Sequence, residues 1–128
     1  MSTTESDRRT RALELLKQLE PSAPPRVAAN FDSLHEDYLE IVLGFAFADV
    51  VARPAIDLRT REMMTVAALA AMGTAHGQLE FHIRAAMNQG VTKEEILEII
   101  LQMAVYAGVP AAMNGFAAAR AAFAARPD

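Results

Sequence analysis

The chain has 128 residues, 52% of them hydrophobic, with a formal net charge of −4. This is enough for one ordinary domain with a modest core, and the apolar content excludes disorder outside the ends. The acidic balance and the absence of a basic patch speak against nucleic acid or an anionic membrane as partner, and the absence of cysteine excludes disulfides, thiolate catalysis and thiolate metal sites.

Alanine and methionine outweigh β-branched and aromatic runs, which favours helix over strand. The N-terminus, MSTTESDRRT, is polar and mixed in charge and carries no signal-peptide pattern. From Ser2 to Glu20 a charged segment places Leu13, Leu15, Leu16 and Leu19 on one side. This predicts a peripheral helix packed on the body or on a neighbour. Pro21-Ser-Ala-Pro-Pro25 ends it, since proline does not continue a helix. It is the single linker-like stretch, so residues 1–29 read as a peripheral helix and linker, and 30–128 as the helical domain.

Ser33-Leu-His-Glu36 has the pattern of a capping box. After it, Leu34, Tyr38, Ile41, Val42, Phe45 and Ala48 mark an apolar stripe that predicts a helix to about Val51, stopping before Pro54. Asp49 and Arg53 continue the stripe, four residues apart in the favoured acid-first order. Asp57 is positioned to cap the next helix, to about Met72, with Leu58, Glu62, Thr65, Val66 and Leu69 inward. The apolar run Met63–Gly73 is far short of the ~20 residues of a membrane span. A soluble, cytoplasmic protein is the expectation.

A turn at Met72-Gly73-Thr74 leads to a helix on which Leu79, Ile83, Ala86 and Met87 share one face and which ends near Gly90. His82 lies on that face. A buried polar group without a partner costs about 1–3 kcal/mol, so this ring needs a partner or a task. Thr92-Lys-Glu-Glu95 is a second capping box. It opens a helix from Lys93 to Ala107 with Ile96, Ile99, Ile100, Met103 and Ala107 inward. Gly108 ends it, and Pro110 suits the first turn of a last, alanine-rich helix reaching Phe123. The tail, Arg126-Pro-Asp, should fray. The result is an all-α, single-domain bundle of about six helices. The last two are apolar over more than one face, which is most easily buried by association of copies.

Asp49 with Arg53, Glu62 and His82 put ionisable groups from three helices on core faces. Each alone suits a structural hydrogen bond or ion pair. Together they suit a pocket built between helices, where burial shifts pKa values toward proton transfer. Glu80 and Arg84 are spaced as an exposed pair, with Arg84 able to reach an anion from a rim. His76 and His35 read as surface residues. Three dispersed histidines make no metal site. Tyr106 and Asn114 flank the Gly108 turn as packing, capping or pocket-lining groups. No phosphate loop, G-x-S-x-G turn or H-E-x-x-H pair is present.

Five blocks then combine: Arg53-Pro-Ala-Ile-Asp-Leu-Arg-Thr-Arg61; the alanine-rich helix; Leu79-Glu-Phe-His-Ile-Arg-Ala-Ala86; Asn88-Gln-Gly-Val-Thr-Lys-Glu-Glu-Ile96; and Ala104-Val-Tyr-Ala-Gly-Val-Pro-Ala-Ala-Met-Asn114. In order and spacing, over residues 30 to 124, they resemble the carboxymuconolactone decarboxylase family with its alkylhydroperoxidase-D-like fold. The likeness is to the γ-carboxymuconolactone branch in particular. Alkylhydroperoxidase-like members carry a Cys-x-x-Cys pair ahead of the histidine that corresponds to His82. Here Thr74-Ala-His-Gly-Gln78 has none, so thiol peroxidase chemistry is excluded. Where the decarboxylase branch has tryptophans and a glutamate, this chain has Phe45-Ala-Phe-Ala-Asp-Val-Val-Ala52.

The resemblance implies a cofactor-independent decarboxylase of aromatic catabolism, in the β-ketoadipate pathway, removing CO2 from a carboxylated lactone. It also implies a ring-like homo-oligomer, a hexamer or trimer. For such a reaction the chemistry of these groups assigns His82 as general acid, Glu62, which resembles the family's relay glutamate, as the group that orients or reprotonates it, and Asp49 as support for Arg53 or as a relay. Arg53, with Arg84 behind it, would hold a substrate carboxylate, and Phe45, Leu69, Met87 and Tyr106 would supply pocket walls. Two further readings are open: the same chemistry on a different lactone or keto acid, and a non-catalytic member.

Overall fold

The computed structural model describes residues 3–126. Among these are seven helices and no strand: α1 (Thr3–Leu19), α2 (Ala23–Leu34), a π-helix (Leu39–Val51), α3 (Leu58–Met72), α4 (His76–Asn88), α5 (Lys93–Ala107) and α6 (Val109–Ala124). The all-α expectation holds, with one helix more than the sequence pattern indicates. Ser2, expected to open the first helix, and Pro127 and Asp128, expected to fray, lie outside the described residues. Arg126, expected to fray with them, is tied down by its Nη1 donating to Asn88 Oδ1 at 2.6 Å. The helices form two compact units, one up to Ile56 and one from Asp57.

In the first unit, α1 buries Ala12, Leu15, Leu16 and Leu19 at helical spacing. Its arginines reach across to its neighbours. Arg9 forks onto Asp32 of α2 at 3.1 and 2.8 Å. Arg8 forks onto Asp49 of the π-helix at 3.3 and 2.8 Å. A Cβ on buried Gly44 would stand 3.2 Å from the Arg8 guanidinium, so glycine there lets the side chain cross the helix surface.

The Pro21–Pro25 stretch is no linker. Pro24 and Pro25 occupy the first turn of α2, where a missing N–H is harmless and a fixed φ is preorganised. Ser33 consequently sits in the last turn of α2. Its hydroxyl donates back to Asn30 O at 2.9 Å, so the expected capping box does not form. Phe31 stacks on Tyr38 across the turn that follows, with ring centroids 4.7 Å apart.

Leu39–Val51 winds as a π-helix, closing with Ala52 N–H on Phe47 O at 2.9 Å. Bonds from i to i+5 widen each turn and change which residues share a face. The buried set becomes Leu39, Gly44, Phe47 and Ala48. Of the stripe counted at α-helical spacing, Ala48 stays buried, whereas Ile41 is 60% and Phe45 63% exposed, and Leu34, at the end of α2, is 76% exposed.

The second unit follows its sequence signals closely. Asp57 caps α3 by accepting from Thr60 N–H at 2.7 Å. Gly73, at φ 73°, ends that helix in the left-handed conformation that glycine adopts without strain. Thr92 and Glu95 form the full capping box of α5. Arg59 of α3 ties that box down, its Nη2 donating to both Glu95 oxygens at 2.7 and 2.8 Å.

The core gathers Val66 and Ala70 of α3, Leu79, Ile83 and Ala86 of α4, Ile96 and Ile100 of α5, and small residues of α6. Burying each large aliphatic side chain contributes about 1.5–3 kcal/mol. Ile99 and Met103 are partly buried as expected, whereas Ala107 is exposed, lying in the last turn just before Gly108. α6 approaches α5 closely because Ala112, Gly115, Ala118, Ala119 and Ala122 line its inner face.

Two expectations follow. A Cβ on Gly115 would stand 2.8 Å from Ile100 Cγ2, a stiff β-branched atom in the core. Alanine gains about 1 kcal/mol in helix propensity, but overpacking costs about 1–3 kcal/mol. Gly115→Ala should therefore lower the midpoint of thermal unfolding, and an equal or higher midpoint would contradict this packing.

Thr92 N–H and then Arg59 hold the Glu95 carboxyl below its ordinary value of 4.5. The folded state binds that proton less readily than the unfolded state. The resulting stability is complete above about 4.5, and it fades as pH falls through the lower folded value. Glu95→Gln should remove this part of the acid sensitivity in denaturant titrations run across that range.

Candidate functional site

Glu62 and His82 meet in the interior of the second unit. Asp57 starts α3 so that Glu62, Val66 and Leu69 fall on one face, and Gly73 returns the chain so that α4 packs against it. His82 Nδ1 lies 2.7 Å from Glu62 Oε1. The glutamate side chain is 1% exposed and the imidazole 11%. With Glu62 ionised, its carboxylate accepts and the imidazole donates from Nδ1. The Phe81 ring stands edge-on to the imidazole at 5.1 Å and helps fix its plane.

Glu62 Oε2 is also buried, and it has no hydrogen-bond partner among the described residues. Buried polar atoms are nearly always paired, so this oxygen carries a penalty of about 1–3 kcal/mol that packing must offset. An unfilled acceptor beside a titratable ring provides a place to lodge a proton.

The remaining candidates are placed differently. Asp49 does not continue a buried stripe: it is 41% exposed and salt-bridged to Arg8, 2.8 Å away. Arg53 is exposed, beyond the end of the π-helix. Phe45 is 63% exposed for the register reason given above. Leu69 is partly buried against the core, as is Met87. Arg84 is half-buried on α4, two positions from His82, a spacing at which side chains do not share a face. Tyr106 is 76% exposed, near the end of α5. Asn114 is also exposed. Glu80 is paired with His76, whose Nε2 lies 3.1 Å from Glu80 Oε2.

The structure thus joins Glu62 and His82 directly and makes Arg8 a partner of Asp49. Nothing in the sequence signals Arg8, because its partner lies 41 positions away. Among the described residues no group of three or more His, Cys, Asp or Glu side chains is arranged to hold a metal ion. No described helix is long and apolar enough to cross a membrane.

A helical protein with an imidazole and a carboxyl paired in its interior, and without a thiol, is equipped for proton transfer and not for disulfide chemistry. The chain belongs to the carboxymuconolactone decarboxylase family, whose family model matches residues 36–121. It is 38% identical over 86 residues to 4-carboxymuconolactone decarboxylase of Acinetobacter baylyi, covering 67% of this chain and 63% of that protein. It is 35% identical over 89 residues to an uncharacterized 15.0 kDa protein of Paracoccus denitrificans, covering 69% and 63%. It is also 35% identical over 75 residues to nitrosuccinic acid decarboxylase of Metarhizium robertsii, covering 59% and 52%. The chain spans less than two thirds of the length of each of these relatives.

Removing Glu62 tests the pair directly. Glu62→Leu strands a buried N–H, which costs about 1–3 kcal/mol for a neutral ring and about 3–5 kcal/mol for an imidazolium. Chemical denaturation should register a loss of at least about 1 kcal/mol. Because the change also removes the unpaired Oε2, a double-mutant cycle with His82→Leu isolates the pair, and a coupling near zero would mean that the two side chains are not joined in solution.

Proposed function

We propose that this protein is a cofactor-independent decarboxylase of a carboxylated lactone, with His82 as general acid and Glu62 as the group that orients it. The observation that carries this reading is the buried 2.7 Å contact between His82 Nδ1 and Glu62 Oε1. Membership of the family and the likeness to 4-carboxymuconolactone decarboxylase support it.

The chemistry asks little of a protein. A γ-carboxylate leaves as CO2, and its electron pair moves through the ring double bond into the lactone carbonyl. One proton must then reach carbon. A doubly protonated His82 would deliver it from Nε2 while Nδ1–H stays on Glu62, and the second oxygen of Glu62 offers a place for proton return. Apolar surroundings favour the step, because they disfavour the localised carboxylate more than the spread dienolate. In this scheme a guanidinium fork holds the substrate carboxylate, and Arg84, on the same helix as His82, is the group proposed for it. Asp49, engaged by Arg8, serves the first unit and not the reaction.

A second reading is favoured by one specific observation, the likeness to a protein named for nitrosuccinic acid. A nitro group, like a lactone carbonyl, accepts the electron pair that CO2 leaves behind. The proposal also includes assembly of identical copies in a cytoplasmic enzyme. Val105, Tyr106, Val109 and Met113, each 64–76% exposed, support the assembly.

The deciding assay follows CO2 and product from γ-carboxymuconolactone and a small panel of lactone and nitro acids. With the true substrate, His82→Gln should lower kcat by roughly 10²–10⁴-fold, the usual contribution of a general acid, with the helical circular dichroism retained. Unchanged turnover in that variant would remove His82 from the chemistry. Absence of CO2 release across the panel would favour a non-catalytic member.

A further inference from the structure

A groove of about 440 Å³ opens between α5 and α6 and shares no lining residue with the His82–Glu62 pair. Phe116, Arg120 and Phe123 follow one another on one face of α6, and Leu97 of α5 completes the lining. Phe116 and Phe123 are partly buried against the core, so their rings are held in place. Leu97 is 37% exposed, which leaves the floor of the groove apolar and open to solvent. Lys93 Nζ stands 5.4 Å from the centre of the Phe123 ring and adds positive charge at one end.

Arg120 is the informative residue. Arg8, Arg9, Arg11, Arg59 and Arg126 each hold a carboxylate or an amide oxygen. Arg120 lines the groove and makes no hydrogen bond or ion pair among the described residues. The acidic residues of α5 fall elsewhere: Glu94, Glu95 and Glu98 line a separate groove with Met63 and Ile99. Glu94 also lies beside Lys93 and Arg126 in another depression, so the groove itself is an apolar slot whose one charged lining group is Arg120.

We propose that this groove binds a small monocarboxylate bearing one apolar ring, with the ring against Leu97, Phe116 and Phe123 and the carboxylate on the Arg120 fork. A guanidinium matches a planar carboxylate with two parallel hydrogen bonds. Lys93 is already engaged over Phe123, so the site offers one full anion contact and suits a single carboxylate better than a phosphate. The volume is that of a small-molecule site. This site is separate from the proposed reaction and does not depend on it.

The test uses the full chain, isotope-labelled, titrated with benzoate and followed by amide chemical shifts. Saturable shifts are expected at Leu97 and across Phe116–Phe123, and they should persist in His82→Gln. Arg120→Gln should weaken binding about tenfold, the loss of one charge-assisted fork, and Arg120→Lys should fall between. Benzamide, the same ring without charge, should bind about as weakly as benzoate binds Arg120→Gln. Shifts confined to the surroundings of Glu62 and His82, affinity indifferent to Arg120→Gln, or no saturation would overturn the proposal. So would a lower sedimentation mass in Arg120→Gln, which would show that a second copy covers the groove.

Discussion

The second unit is built around one short contact between side chains that sequence keeps 20 positions apart. A carboxyl and an imidazole in a nearly dry interior attract strongly, and each alone would be a liability there. The contact therefore demands that α3 and α4 be placed to within a few tenths of an ångström. The devices around it meet that demand. Asp57 sets where α3 begins, and Gly73 sets where it turns back. Val66 and Ile83, fully buried, hold the two helices at fixed distance.

What the sequence makes legible is local. Caps, glycine stops and helix-phase apolar residues are patterns a few residues long, and they located α3 to α6 almost to the residue. The same phase put Glu62 and His82 inside, and the cost of burying either alone suggested a partner. Registers and distant partners are not local. Nothing in Leu39–Val51 announces a π-helix, because side chains that fill an α-turn fill a π-turn as well. That one change of winding moved Phe45 from an inner wall to the surface. Pro24 and Pro25 carry two meanings, the end of one helix or the start of the next, and packing selects the second. Asp49 was paired in sequence with its neighbour Arg53, whereas folding gave it Arg8.

The candidate chemistry suits these materials. Proton transfer needs a ring whose orientation is fixed, and the buried pair provides that. It needs neither thiol nor bound nucleotide, and the sequence offers no motif for either. A single orphaned oxygen, Glu62 Oε2, is the one breach of hydrogen-bond economy in this pair. Proteins tend to tolerate such breaches where protons move.

The inner surface of α6 has a thermodynamic side. Alanine and glycine have no rotamers to freeze, whereas a buried leucine or isoleucine gives up about 0.5–1 kcal/mol of side-chain entropy. Ala112, Gly115, Ala118, Ala119 and Ala122 thus let the last helix order against its neighbours with almost no such loss. In a short unit, whose surface-to-volume ratio limits what burial can return, that saving is part of what lets an unmatched carboxylate oxygen persist at its centre.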